Sequence, residues 1–83
     1  MTEAQLKQVV GIMTRISEDT SVPRNIRRVA SDAREILLNG KEDLGVRAAS
    51  ARIAIEEISN DPNMPVQART LIWNALSILE TIR

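Results

Sequence analysis

The chain of 83 residues contains neither cysteine nor histidine. Thiol nucleophiles, disulfides, zinc fingers, Ser-His-Asp triads and helical Glu-x-x-His di-iron sites are therefore outside its own chemistry. Carboxylates and arginines remain. The adjacent Glu56 and Glu57 invite an acid–base or metal-binding role. Consecutive residues on a helix project about 100° apart, so the two cannot both address one ligand well. A divalent cation would need further oxygens from neighbours. A solvated helix face is the favoured reading, with Glu56 placed to pair with Arg52 one turn earlier for about 0.2–0.5 kcal/mol.

Four arginines follow two prolines: Arg24, Arg27 and Arg28 after Pro23, and Arg69 after Pro65. Cations at the start of a helix oppose the helix dipole, which favours anions there. One reading is that these arginines, with the free N–H groups of two helix starts, hold a phosphate, an RNA backbone or an acidic peptide. The other is local neutralisation by Glu18, Asp19 and Asp61. Asp19 and Arg27 recur as Asp61 and Arg69, which is what an internal Asp–Arg clamp on each turn would give, and the clamp is favoured for Arg27 and Arg69. Arg24 and Arg28 align with Val66 and Thr70, so they are the better candidates for contact with a partner or anion. Even there a solvated face is favoured.

The elements that position these residues are helical. Thr2 and Gln5 fit a capping box, and Leu6, Val9, Val10, Met13 and Ile16 keep one helix face, widened by Ile12, to about Glu18. Pro23 is expected at the first position of a second helix, with Val22 outside it. Ile26, Val29, Ala30, Ala33 and Leu37 form its stripe, and Asn39-Gly40 is expected to supply a left-handed cap. Asp43 caps a third helix carrying Leu44, Ala48, Ala51, Ile55 and Ile58. Its alanines, Ala48, Ala49, Ala51 and Ala54, allow a close neighbour. Asn60 to Pro65 is the densest run of turn formers, with Asn63 or Met64 expected as the cap of a fourth helix bearing Ala68, Ile72, Ala75, Leu79 and Ile82. Asn60 and Asn63 read most simply as turn residues, and Val22 and Met64 as plugs closing one end. No segment has strand character.

Shifted by 42 residues, the chain matches itself. Eight identities fall in 41 overlapping positions, among them Asp19/Asp61, Pro23/Pro65, Arg27/Arg69 and Ala33/Ala75. Chance gives about three at roughly 7% per position. Each unit, about 1–41 and 43–83, is helix, Asp-x-x-Φ-Pro turn, helix. Two such units are too few for a long solenoid. The expected fold is all-α: one domain over 1–83, a four-helix up-and-down bundle built from two tandem helical hairpins, with both turns at one end.

Hydrophobic residues at 43% suffice for one small core, while net charge is zero and Trp73 is the only aromatic residue. Phosphate-backbone binding ordinarily shows a basic excess, and base stacking needs several rings. Nucleic acid is thus disfavoured as a partner without being excluded. No apolar run reaches membrane-spanning length, and a soluble, cytoplasmic protein is expected. Trp73 aligns with Ser31, off the apolar stripe. It is a candidate interface residue, suggesting with the small-residue helix a dimer contact, and a place at the core edge is an equal alternative.

Val22-Pro23-Arg24-Asn25-Ile26-Arg27, followed by Ser59 to Pro65 and by Arg69-Thr70-x-x-Trp73, resembles a group of short archaeal proteins known only as an uncharacterised protein family. The resemblance covers nearly the whole chain. It implies an all-helical four-helix bundle in an archaeal cytoplasm, and brings no activity, substrate or catalytic residue. The sequence points to a non-enzymatic protein-interaction module, binding another protein or a second copy of itself, with no cofactor, metal or catalytic residue. The alternative is an RNA- or nucleotide-associated accessory factor using the arginine-bearing end.

Overall fold

The computed structural model describes residues 2–81. Four helices follow one another, α1 (Glu3–Ser17), α2 (Arg24–Leu38), α3 (Leu44–Ser59) and α4 (Val66–Glu80), and no strand occurs among the described residues. Ile82, expected on the inner face of α4, lies outside them.

Each helix begins for a local reason. Thr2 and Gln5 form the capping box, with Gln5 N–H donating to Thr2 Oγ1 at 3.1 Å and Thr2 N–H to Gln5 Oε1 at 2.9 Å. Asp43 Oδ2 accepts from Gly45 N–H at 3.1 Å. At α2 the proline sits one place earlier than expected, and at α4 the cap is Pro65 rather than Asn63 or Met64. Pro23 and Pro65 are extended, with ψ of 148° and 151°, and are themselves the caps. Their carbonyls start the helical ladder by accepting from Arg27 and Arg69 N–H, both at 3.0 Å. Asn63 and Met64 do not cap α4: both lie within the turn, where their N–H groups donate to the side chain and backbone carbonyl of Asp61, and no side-chain hydrogen bond caps the helix.

The left-handed cap at Asn39-Gly40 is also corrected. No described residue has positive φ. Asn39 instead has φ −74° and ψ 92°, and its Oδ1 accepts from Lys41 N–H at 3.2 Å. This Asx turn gives the chain its reversal without a left-handed residue.

Two hydrogen bonds reveal the topology. Asn25 Nδ2 donates to Asp61 Oδ2 at 3.3 Å, so the α1–α2 and α3–α4 turns share one end. Arg47 Nη1 donates to the Leu37 carbonyl at 2.9 Å, tying the end of α2 to the start of α3 at the other. Helices pack as α1–α2, α2–α3, α3–α4 and α1–α4, with no close backbone approach across the diagonals among the described residues. This is an up-and-down bundle with extents of 32 × 20 × 20 Å.

Its core is wholly apolar and follows the 42-residue shift. Met13 and Ile55, Ile16 and Ile58, Val22 and Met64, Ala33 and Ala75, and Leu37 and Leu79 are all buried. Size alternates where the halves differ. Ile26 has Ala68 at its repeat position and Ala30 has Ile72, all four buried, so large and small residues exchange places between the halves of the core.

Ile72→Ala, at a fully buried site, should cost about 2–5 kcal/mol. Val66→Ala, at a site 78% exposed on the same helix, should stay within about 0.5 kcal/mol. Urea denaturation of the two variants measures the difference.

Candidate functional site

At the shared end, each turn is closed by its own aspartate. Asp19 Oδ1 accepts from the N–H and the hydroxyl of Ser21, at 2.9 and 2.6 Å. Asp61 Oδ1 accepts from Asn63 N–H at 2.9 Å. Both backbones repeat the pattern: Val22 N–H donates to the Asp19 carbonyl and Met64 N–H to that of Asp61. Val22 and Met64 are buried beneath.

The arginines expected to clamp these carboxylates bond elsewhere. Arg27 Nε donates to the Val22 carbonyl at 3.0 Å, and Arg69 Nη2 to the Asp61 carbonyl at 3.1 Å. Neither forms an ion pair with Asp19 or Asp61, since the ion pairs among the described residues are Arg34–Glu35 and Arg52–Glu56. Oδ1 of each aspartate is engaged by donors two residues on, and the guanidinium groups reach turn carbonyls instead, that of Val22 for Arg27 and that of Asp61, which also accepts from Met64 N–H, for Arg69. Arg27 and Arg69 are thus both internal, through backbone rather than charge. Arg24 and Arg28 are exposed and join no ion pair among the described residues.

The Ser21 hydroxyl, and then the Ser21 N–H, hold the Asp19 carboxyl below its ordinary value of 3.8; Arg15 and Arg27 act the same way, against a small desolvation effect. A depressed folded value favours the folded state above the ordinary value, and that contribution disappears as pH falls through the folded one.

Elsewhere the polar groups do not converge. Glu56 pairs with Arg52 at 3.6 Å, Glu57 is exposed, and no group of three or more Asp and Glu among the described residues is placed to hold a metal ion. One buried polar atom, Arg47 Nε, has no partner. It belongs to the side chain that caps α2, a role the sequence did not signal because its repeat counterpart is Gln5.

The long sides of the bundle are more informative. Arg47 reaches α2, so the opposite flank of α3 faces α4. Arg69 reaches back into the α3–α4 turn, so its flank of α4 faces α3. Rotation of about 100° per residue then turns Ala49, Arg52 and Glu56 of α3 to the same long side as Arg69, Trp73 and Leu76 of α4, and sets Ile53 opposite the buried Ala48, Ala51, Ile55 and Ile58, at the outer edge of that side. Trp73 is 59% exposed and Ile53 is 59% exposed. Trp73 therefore does not sit at the core edge. The repeat counterparts on the opposite, α1–α2 side are Lys7 for Ala49, Gly11 for Ile53, Ser31 for Trp73 and Arg34 for Leu76. At these four places the α3–α4 side is apolar where the other is polar or glycine, while Arg52, Glu56 and Glu80 match Val10, Thr14 and Leu38 on the other side. Ile53 escaped the sequence reading because it lies off the inner stripe, and its contrast with Gly11 is the signal that could have exposed it.

The model of an uncharacterised protein family, UPF0147, matches residues 1–82. The chain belongs to that family. A UPF0147 protein of Metallosphaera sedula is 54% identical over 81 residues, covering 98% of this chain and 91% of that one. One from Methanothermobacter thermautotrophicus is 52% identical over 83 residues, covering 100% and 81%. These homologues are archaeal. The crystal structure of MMP1188, a protein of unknown function, shares the fold at a TM-score of 0.91 and 46% identity, over 99% of this chain and 94% of that one. A UPF0147 protein from Thermoplasma acidophilum does so at 0.91 and 32%, over 98% and 95%. Membership of UPF0147 carries the four-helix fold and no established activity. Among the described residues no helix is long and apolar enough to cross a membrane.

Arg27→Met and Arg69→Met should each lose about 1–2 kcal/mol of stability, the loss of a charged donor to a half-buried carbonyl, whereas Arg24→Met and Arg28→Met should lie within about 0.5 kcal/mol; thermal denaturation distinguishes the pairs. In a carboxyl NMR titration Asp19 should titrate below 3.8, and Ser21→Ala should bring it back up towards that value.

Proposed function

We propose that the chain is a non-enzymatic protein-interaction module whose docking side is formed by α3 and α4. The observation that carries this reading is the exposure of Trp73, the chain's one aromatic side chain. Tryptophan is enriched at the desolvated centres of interfaces, where its large flat surface is removed from water. Ile53 of α3 is exposed as well, and Arg52, Glu56 and Arg69 supply charge on the same side.

The RNA-associated alternative has a narrower basis. Arg24 and Arg28 are exposed at the end where α2 and α4 begin, an electropositive position. Net charge is nevertheless zero, and Trp73 stands on α4 without a second ring to form a stacking platform.

Capture from a lysate of the source cells separates the two. Wild-type chain, Ile53→Glu plus Trp73→Glu, and Arg24→Glu plus Arg28→Glu serve as baits, each first shown to be helical by circular dichroism. Proteins held by the wild type, second copies included, should be lost from the Ile53/Trp73 bait and kept by the arginine bait. Identical recovery by all three contradicts the interaction reading. Recovery of RNA that depends on the two arginines and weakens with salt would replace it with the alternative.

A further inference from the structure

We infer that Asn39 is a site of spontaneous covalent modification, converting through a cyclic imide to aspartate and isoaspartate at the joint between the two hairpins. The chain has five asparagines, Asn25, Asn39, Asn60, Asn63 and Asn74, and only Asn39 precedes a glycine. The reaction needs the backbone nitrogen of the following residue as nucleophile and the side-chain carbonyl carbon as electrophile. A following residue without a side chain leaves that nitrogen least crowded and its backbone freest to turn.

The structure separates Asn39 from the other four at the nucleophile. Ile26, Asp61 and Met64 N–H donate to the carbonyls of Pro23, Ile58 and Asp61, at 3.1, 3.1 and 3.2 Å. Ala75 lies within α4, where its N–H belongs to the helical ladder. Gly40 N–H donates to no protein group among the described residues, so no hydrogen bond must break before its nitrogen turns to the side chain ahead of it. The electrophile is activated as well. Asn39 Oδ1 accepts from Lys41 N–H at 3.2 Å, a bond that draws electron density from Cγ and steadies the oxyanion formed there during attack. Asn39, Gly40 and Lys41 are all exposed, so water reaches the imide. Neither conformation nor space requires the glycine: Gly40 has no positive φ, and a Cβ at that place would meet nothing within 4 Å.

In the first step Gly40 N bonds to Asn39 Cγ, the Cγ–Nδ2 bond breaks, and the side-chain amide leaves as ammonia, taking up the proton that Gly40 N loses. In the second, water adds to either carbonyl of the imide and reopens the ring. Opening on one side gives aspartate. Opening on the other gives isoaspartate, in which the main chain runs through Cβ and Cγ. Either product adds an acidic group to a chain of zero formal charge, close to Glu42 and Asp43. It does so at the C-terminal end of α2, where the helix dipole favours cations. Isoaspartate also lengthens the main chain of the reversal by a carbon atom, so ageing of the chain acts on the joint between its hairpins.

Ageing of the folded full chain in mildly alkaline buffer, followed by trypsin digestion and mass spectrometry, tests the assignment. The peptide between the cuts after Arg34 and Lys41 holds Asn39. It should gain the mass difference between an amide and a carboxylic acid, and divide into aspartate and isoaspartate forms that elute separately. In heavy-oxygen water it should take up a single labelled oxygen, the mark of hydrolytic ring opening. Asn39 should convert at least about tenfold faster than any other asparagine, a barrier lower by about 1.4 kcal/mol. Gly40→Ala should slow the conversion by a similar factor, with helical content and melting temperature unchanged. Conversion of Asn25, Asn60, Asn63 or Asn74 as fast as that of Asn39, or a rate at Asn39 that Gly40→Ala leaves unaltered, overturns the assignment. So does an Asn39 that stays intact in the folded chain and converts only in urea, since the folded loop then protects it.

Discussion

The bundle depends on how its two sharp turns are held. In each, an aspartate uses its side chain to bind the N–H two residues on and its carbonyl to bind the N–H three residues on. An arginine from the following helix then ties down a carbonyl of the turn. The turn is thereby fixed before the next helix begins, and with it the rotation at which that helix starts. Because helical rotation is about 100° per residue, an error of one residue there would turn Ile26 or Ile72 out of the core. The proline ahead of each helix stiffens the same junction by restricting its own φ and the residue before it. The buried Val22 and Met64 hold the turn against the bundle end, and Asn25 joins the two turns to each other.

Much of this was legible in the residues because it is local or periodic. The capping box, the inner stripes, the four helices and the recurrence of Asp, Pro and Arg at a 42-residue spacing all depend on neighbours within one or two helical turns. The failures have physical causes of one kind. Whether an arginine chooses a carboxylate or a carbonyl depends on which acceptors are already occupied, and Asp19 and Asp61 were occupied by their own turns. Asn39-Gly40 suits a left-handed cap and an Asx turn equally, and the structure takes the latter. Ile53 lies in a helix with apolar residues on two sides, so periodicity alone could not say which side meets water.

The repeat also gives a way to separate fold from function. Where the halves agree, in Asp19/Asp61, Arg27/Arg69 and the paired core residues, the shared requirement is the bundle itself. Where they disagree on the surface, folding is not the reason, since the same backbone tolerates both residues. Arg24 and Arg28 against Val66 and Thr70, and Lys7, Gly11, Ser31 and Arg34 against Ala49, Ile53, Trp73 and Leu76, are such disagreements. They make the two long sides unlike, with Trp73 exposed on one and Leu38 on the other, and they hold what is special to this chain beyond a stable bundle. Membership of UPF0147 is consistent with a small scaffold of this kind, and it assigns no reaction.

The most direct test of this account uses the chain's single fluorophore. Trp73 projects from the middle of the side proposed to be covered, so its emission reports on that side alone. Adding the proteins captured from the lysate should move the emission to shorter wavelength and protect it from iodide quenching, as the indole leaves water. Emission and quenching that stay those of an exposed indole in the presence of those proteins would contradict the claim that the α3–α4 side is a docking surface.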